Sequence, residues 1–521
     1  MSASTTSEKC SIKRPCSENS GDLPECKYGA ECYRKNPLHF REYSHPSPHD
    51  ASAKRRKTDQ VADRNAAKLV CAKRNRVPFL LTSVRGVDKK YNDDKLAISL
   101  VQILQENSEN LRASIQFNYM FDLPWLISKY PEKARGKPLL IVHGHTDSGL
   151  ADLQGDAMNY KNVQLLHPRL PIMFGTHHTK MMLLFYTDGM RVVIHTANMI
   201  EQDWGQKTQG LWKSPLFPKL DSITSRGYSP QNDTFKKDLM DYINAYDSPK
   251  FKTCLRNIEE HNMMTAGVHI IASVPGRHTG GALNKWGHLK LRSCLRQYGP
   301  KEDFVSRKWP VIGQFSSIGS LGPDSSKWLC NEWLISLSKC RGSKLIDSKS
   351  EQLKLVFPSV EDVRNSLEGY SAGGSLPYAL DTAKKQPYLV SYLHRWKSSL
   401  CGRSKASPHI KSYARISQDN HQAAWFMVTS ANLSKAAWGQ LEKNQSQLMI
   451  RSFEIGVLFL PKEEELSVYN IAEPNTDSKA AFLQLPFDVP LTKYTSTDKP
   501  WIWNNKYTDE DCHGRIWNPS W

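Results

Sequence analysis

The first contrast in the hydrophobic pattern of this chain falls near residue 76. Before it the sequence is polar, rich in Ser, Lys, Arg and Pro, with no aliphatic cluster. Such a segment buries too little apolar surface to offset chain entropy, which predicts a disordered arm. From residue 77 onward, short apolar runs recur between turn residues, the pattern of buried strands in a mixed α/β protein. Residues 138–144 make one such strand, and 423–429 and 454–460 make two more. Residues 180–186 and 190–196, joined through Asp188-Gly189, predict a β-hairpin. Helical periodicity is clearest over 93–106 and 233–245. Stretches rich in Gly, Ser and Pro at 215–230 and 370–377 predict surface loops.

Length and composition narrow this picture. A chain of 521 residues predicts two or three domains at about 150 residues each. The longest apolar runs, such as Met181–Tyr186, are far short of the roughly 18 residues of a membrane span. The first residues lack the apolar core of a secretory signal. Eleven cysteines, an odd number scattered along a long chain, fit a reducing compartment better than a disulfide framework. The net charge of +18 points to a polyanionic partner, either nucleic acid or an acidic membrane surface. Within the arm, Lys54-Arg55-Arg56-Lys57 reads either as a nuclear-import signal or as a solvated charge run.

A second feature of the arm carries metal chemistry. Cys26, Cys32, His39 and His45 lie within about twenty residues and can close a tetrahedral shell around zinc. A segment too short for a core would fold with that metal. Six residues separate Cys32 from His39, about half the spacing that leaves room for a recognition helix in DNA-reading fingers. The set resembles the poly(ADP-ribose)-binding zinc finger, including Tyr28-Gly29, Cys32-Tyr33-Arg34 and Tyr43 before the last His. The resemblance implies that Tyr28, Tyr33, Arg34 and Tyr43 stack on adenine and pair with phosphate of the polymer.

The larger region contains an internal repeat. His178-Thr179-Lys180 is followed by Ala197-Asn198-Met199, and His409-Ile410-Lys411 by Ala431-Asn432-Leu433. The copies stand 231 residues apart (178 to 409), with Lys-to-Asn intervals of 18 and 21 (180 to 198, 411 to 432). In extended backbone, residues i and i+2 project from one face, so His-x-Lys presents an imidazole beside an ammonium. Two such sets facing across a pseudo-twofold interface suit a phosphodiester, whose oxygens take Lys charge and Asn amide hydrogen bonds. One neutral His can attack phosphorus while the other, protonated, assists the leaving oxygen and then activates water. The lysines neutralise charge where a nuclease would place divalent cations, so catalysis needs no cofactor.

The duplicated motif resembles the phospholipase D superfamily. Its surroundings look like tyrosyl-DNA phosphodiesterase across roughly residues 77 to 521: Gly175-Thr176-His177-His178, Gln206-Lys207-Thr208-Gln209-Gly210, Pro408-His409, Thr429-Ser430-Ala431-Asn432-Leu433-Ser434-Lys435, and Pro500-Trp501-Ile502-Trp503-Asn504. Lipid-cleaving members carry Asp five residues after the Lys, where this chain has Phe185 and Ile416. The resemblance implies that His178 is the nucleophile and His409 the general acid and base. Lys180, Lys411, Asn198 and Asn432 would bind phosphate oxygens, and Gln209 and Glu454 match positions that orient the imidazoles. A carboxylate raises the basicity of its partner, which pairs Glu454 with the nucleophile and Gln209 with the acid, the opposite pairing staying open. Tyr119 and Phe174 match aromatic positions at the cleft, and Ser316, Ser317, Ile318, Gly319, Ser320, Ser434 and Lys435 match DNA-contacting segments. Trp501, Trp503, Trp517 and Trp521 read as packing, with Trp503 nearest the cleft.

The expected architecture is therefore α/β, with two related phospholipase D-like α-β-α sandwich domains at 77–265 and 266–521. Ahead of them stand a disordered arm at 1–25, the zinc finger at 26–46 and a basic linker at 47–76. The expected activity is hydrolysis of the bond between a DNA 3′ end and a topoisomerase I tyrosine, and of other 3′ adducts, in a monomer of the nucleus, with the cytoplasm as a second location, that binds DNA and poly(ADP-ribose) and no membrane. The competing readings are a polymer-binding adaptor with inactive hydrolase halves, which predicts a damaged site residue, and a general phospholipase D-type nuclease.

Overall fold

The computed structural model describes Tyr43 and residues 76–93, 95–221, 227–342, 352–461, 468–471 and 481–519. The finger candidates Cys26, Cys32, His39, His45, Tyr28, Tyr33 and Arg34 lie outside the described residues, as do the basic tetrad and Trp521. The chain divides after Arg74, close to the compositional shift, and both His-x-Lys motifs belong to the part beyond that point.

The strands of that part, in chain order, begin with β1 (Leu80–Thr82), β2 (Ala97–Ile98), β3 (Leu111–Asn118), β4 (Leu139–His143) and β5 (Val163–Leu166). Next come β6 (Met181–Tyr186), β7 (Met190–His195), β8 (Gly210–Lys213), β9 (His269–Ser273), β10 (Gly276–Thr279) and β11 (Val311–Gln314). The series ends with β12 (Leu353–Val356), β13 (Leu393–His394), β14 (Ser412–Ile416), β15 (Gln422–Thr429), β16 (Gln440–Glu442), β17 (Gln447–Ile450), β18 (Glu454–Phe459) and β19 (Tyr469–Asn470).

Two large mixed sheets result. The first runs β2-β1-β8-β7-β6-β3-β4-β5 and the second β9-β18-β15-β14-β11-β12-β13, with β19 on β15. Leaving out β2, the sheets correspond strand for strand. The neighbours are antiparallel from β1 to β3, and from β9 to β11, and parallel beyond. The internal repeat in the sequence is thus a repeat of topology, and the fold is two phospholipase D-like α/β sandwiches.

The central strands are apolar on both faces because both faces are covered. Met181, Leu183 and Phe185 of β6 and Ile455, Val457 and Phe459 of β18 share one core between the sheets, joined by Phe235, Leu239 and Tyr242 of the helix Thr234–Asn244. Met182 and Leu184 face an outer core with Leu123 and Leu126. Trp425 and Met427 face another with Trp333 and Leu337.

The expected strands at 138–144, 180–196, 423–429 and 454–460 appear as β4, β6 with β7, β15 and β18. Gly189 in the hairpin turn serves close approach, since a Cβ there would lie 2.5 Å from the Phe217 carbonyl oxygen. The helix expected at 233–245 spans Thr234–Asn244, with the Asp233 side chain accepting from the Lys236 N–H. The helix expected at 93–106 is shorter, Leu100–Gln105, because Ala97–Ile98 pair with β1 and Ser99 then closes a capping box with Gln102. The stretch 370–377 is not a surface loop. Gly369–Ser375 form a 3-10 helix in which Tyr370 and Ala372 are buried, and Gly373 leaves room for the Trp501 ring. Phe217, within the other expected loop, is also buried, and exchanges two backbone hydrogen bonds with Met190.

Candidate active site

The repeat delivers its side chains to matching sheet ends. His178 and Lys180 directly precede β6, and His409 and Lys411 directly precede β14; Asn198 and Asn432 follow the antiparallel neighbours β7 and β15. One further ladder bond in each half, from His195 N–H to the Lys180 carbonyl at 3.1 Å and from Thr429 N–H to the Lys411 carbonyl at 3.0 Å, draws Asn and Lys together. Between His and Lys, Thr179 and Ile410 point the other way. Thr179 joins the hydroxyls of Tyr242 and Tyr246, and Ile410 enters the core between the sheets.

Each histidine is also stitched to the opposite half. His178 N–H donates to the Phe453 carbonyl, and His409 N–H to the Thr208 carbonyl, both at 3.0 Å. The residue after each of these acceptors supplies the group behind the ring. His178 Nδ1 lies 2.9 Å from Glu454 Oε2, which also accepts from Ser430 Oγ. His409 Nδ1 lies 3.0 Å from Gln209 Nε2 and 3.2 Å from Gln209 Oε1. Asp203 Oδ2 stands 3.2 Å from the same nitrogen. Thr196 Oγ1 donates to Gln209 Oε1 at 2.7 Å, which orients the amide. With both Nδ1 atoms engaged from behind, both Nε2 atoms are left for a substrate.

Electrostatics follow from burial. Lys180 and Lys411 are buried. Burial pulls the Lys180 ammonium down to about 8, opposed by Glu454 and Asp203. Lys411 is pulled well below its ordinary value by burial and by Lys180. Burial also lowers His178, against the pull of Glu454. It lowers His409 further, where Lys411, Lys180 and Lys207 add to the effect. Glu454 sits below the usual carboxylate range because His178, Ser430 and Lys180 together outweigh a burial penalty acting upward. The site's own residues therefore leave it short of negative charge, and an entering phosphodiester supplies it.

Asn432 Oδ1 accepts the backbone N–H groups of Ser316 and Ser317 at 3.1 and 3.0 Å, which leaves its amide nitrogen to donate. Asn198 is anchored through its own N–H to Asp203 Oδ2 at 2.7 Å. Tyr119 meets His178 edge-on, with ring centroids 5.8 Å apart. Phe174 is 84% exposed and holds a left-handed φ of 60°. Ser320 is exposed and Lys435 is half-buried. Gly319 lies against Ser434, where a Cβ would come within 2.7 Å. Ser434 Oγ accepts from Ala437 N–H as a helix cap.

Two expected DNA contacts also have packing roles. The Ile318 side chain packs in the core, so its contact with a strand would fall to its backbone. Trp503 belongs to the packed aromatic tail, its carbonyl accepting from Trp517 Nε1 at 2.8 Å. Phe185 and Ile416, where lipid-cleaving relatives carry Asp, fill the core between the sheets, and a carboxylate there would be buried without a partner.

Sequence reasoning missed Asp203, Ser430 and the network of His177, Thr179, Tyr242 and Tyr246 beneath the first motif. His177 Nε2 contacts Tyr246 OH at 3.0 Å, and the Tyr246 ring stacks on Phe453 at 4.3 Å, so one side chain braces both His178 and Glu454 through their neighbours. The available signal for Asp203 was its place between Asn198 and Gln209, a carboxylate in a short segment with site residues at both ends.

A family model described as Tyrosyl-DNA phosphodiesterase matches residues 78–495, and one for the PBZ domain matches residues 23–49. The chain is 36% identical over 514 residues to tyrosyl-DNA phosphodiesterase 1 of Arabidopsis thaliana, covering 90% of this chain and 81% of that protein. It is 38% identical over 436 residues to tyrosyl-DNA phosphodiesterase 1 of Drosophila melanogaster, covering 81% and 73%. The crystal structure of the yeast tyrosyl-DNA phosphodiesterase superposes with a TM-score of 0.58 at 19% identity, over 81% of this chain and 98% of that one, which bears on the fold. Two topologically matched halves with one His, Lys and Asn set apiece, a family match across most of the chain and relatives of this identity lead to one assignment: the chain belongs to the tyrosyl-DNA phosphodiesterase family.

Proposed function

We propose that this protein is a DNA-repair phosphodiesterase that hydrolyses the bond between a DNA 3′-phosphate and the tyrosine of a stalled topoisomerase I, and releases other 3′ adducts by the same chemistry. The observation that carries the reading is the pair of histidines whose Nδ1 atoms are held from behind, at 2.9 Å by Glu454 and 3.0 Å by Gln209, beside two buried lysines.

In the first step His178 Nε2 attacks phosphorus in line and a nitrogen–phosphorus bond forms. The phosphorus–oxygen bond to tyrosine breaks, and the proton on His409 Nε2 passes to the departing phenolate. His409, now neutral, then takes a proton from water as the water oxygen attacks phosphorus. The nitrogen–phosphorus bond breaks, its electrons return to His178, and a 3′-phosphate is left. Lys180, Lys411, Asn198 and Asn432 hold the non-bridging oxygens through both displacements, concentrating positive charge where negative charge gathers. Phe174 stacks on a base of the strand, a sequence-tolerant contact. Ser316, Ser317, Gly319, Ser320, Ser434 and Lys435 hold the backbone phosphates.

The finger segment serves recruitment in this reading. Cys26, Cys32, His39 and His45 are a donor set that fits one structural zinc, and Tyr28, Tyr33, Arg34 and Tyr43 would grip poly(ADP-ribose) at a break in nuclear DNA. The whole proposal is tested with an oligonucleotide carrying a 3′-phosphotyrosine, in EDTA. Expected is release of a 3′-phosphate end that is lost in His178→Ala; absence of product from folded protein overturns the reading. Deleting residues 26–46 should remove poly(ADP-ribose) binding while leaving hydrolysis intact, and retained polymer affinity would overturn the finger's role.

A further inference from the structure

One buried carboxylate at the site has no part in the two displacements. Asp203 is completely enclosed, on the short helix Glu201–Gly205, and its Oδ1 has no hydrogen-bond partner among the described residues. Its Oδ2 accepts from Asn198 N–H at 2.7 Å and lies 3.2 Å from His409 Nδ1. The other charged or titratable groups that bear on His409 are Lys411, Lys180, Lys207 and His178, none of which supplies negative charge.

Gln209 presents both a neutral donor and a neutral acceptor to this histidine. Its Nε2, a donor, lies 3.0 Å from His409 Nδ1, and its Oε1, which also accepts from the Thr196 hydroxyl, lies 3.2 Å from the same nitrogen. A donor facing Nδ1 selects the neutral tautomer with its proton on Nε2. That form lacks the lone pair on Nε2 needed to accept a proton from water. It also cannot give up its Nε2 proton without becoming an imidazolate. The reaction needs a ring that keeps Nδ1–H throughout, so that Nε2 alone gains and loses the proton. An acceptor at Nδ1 is required; Gln209 Oε1 and Asp203 Oδ2 both lie at 3.2 Å, and of the two only Asp203 carries the charge that sustains an imidazolium.

We infer that Asp203 is the positioning residue of His409: it accepts the Nδ1–H through both displacements, sustains the imidazolium in the first and sets the tautomer with a free Nε2 for the second. The inference rests on the phosphodiesterase reading. It makes the site's two histidines alike in having a carboxylate behind each, supplied in both cases by the opposite half.

The test compares two substrates in single-turnover cleavage by the full chain: a 3′-phosphotyrosyl oligonucleotide and its 4-nitrophenyl phosphodiester counterpart, whose phenolate leaves without a proton. Asp203→Asn keeps an acceptor for Asn198 and removes only the charge. It should slow tyrosyl cleavage about 10- to 100-fold while changing 4-nitrophenyl cleavage less than about threefold. The alkaline limb of tyrosyl cleavage should move to lower pH, because an imidazolium without its counter-charge gives up its proton sooner, and covalent adduct should persist longer. Equal losses on both substrates with an unmoved limb, or no loss on either, would overturn the inference. Wild-type protein that cleaves neither substrate would instead overturn the parent reading. If the variant does not fold, nitrogen-15 shifts of His409 in the wild type decide, assigned by their absence in His409→Asn. A neutral ring protonated at Nδ1 is expected, and one protonated at Nε2 overturns the assignment.

Discussion

The two halves of the catalytic region carry the same seven strands in the same order, yet they furnish their histidines differently. Behind His178 is Glu454, one carboxylate fixed further by Ser430. Behind His409 is the Gln209 amide, with the Asp203 carboxylate at 3.2 Å beside it. The first arrangement favours a ring that stays available as a nucleophile. The second combines a neutral amide with a carboxylate slightly farther off, behind a ring that must both give and regain a proton. Duplication of a scaffold thus supplied symmetric placement, and divergence of a few backing residues divided the labour. Glu454 lies 276 residues from its histidine and Gln209 lies 200 from its own, each in the opposite half, so neither half can complete its own site.

The most forceful way to break this asymmetry is to remove each ring in turn. His178→Ala should abolish turnover with no covalent intermediate. His409→Asn should slow it by about 10²- to 10⁴-fold and let a protein–DNA adduct accumulate, because the second displacement loses its base. Denaturing gels after mixing with substrate distinguish the two, and equal behaviour would mean that the halves are not specialised.

Next in size is Glu454→Gln, which gives both histidines an amide. The loss of about one to two units of imidazole basicity should slow adduct formation roughly 10- to 100-fold. Rapid-quench measurement of adduct formation, with the hydrolysis of isolated adduct as control, checks whether the effect stays on the first step.

The smallest effect tests the lysines that the halves share. Lys180, pulled down to about 8 by its burial, must be charged to hold a phosphate. Raising the pH through about 8 deprotonates it in the free protein, whereas the negative charge of a bound phosphate favours the ammonium. Affinity for a 3′-phosphate oligonucleotide should therefore fall with rising pH, by at most about tenfold per unit for one proton. Fluorescence anisotropy between about pH 7 and 9.5 reads this directly; a flat profile would mean that Lys180 is not the group that titrates.

Much of the fold was legible because strands buried on both faces write continuous apolar runs, as in Met181–Tyr186 and Glu454–Phe459. The segment 370–377 misled for a definite reason. Its glycines signal a flexible loop when read locally, whereas Gly373 is small so that Trp501, more than a hundred residues away, can pack against the backbone. Ala97 and Ile98 misled similarly: their apolar character fits a helix start, but β1 recruits them as a strand. Ile318 stands in a segment with site serines and differs from them in packing an apolar side chain into the core, whereas Ser316, equally buried, turns its hydroxyl to Asn432.

What the amino-acid sequence determined by itself is the chemistry and its duplication. Two His-x-Lys motifs, each with a trailing Asn, are local patterns, and a strand's two-residue period turns them into a side-by-side imidazole and ammonium without further information. Only the tertiary structure decided which group stands behind each ring. The pairing of His178 with Glu454 and of His409 with Gln209 and Asp203 depends on how two sheets face each other. A distance of about 3 Å between atoms of residues hundreds of positions apart is set by packing of whole halves, which no spacing along the chain encodes.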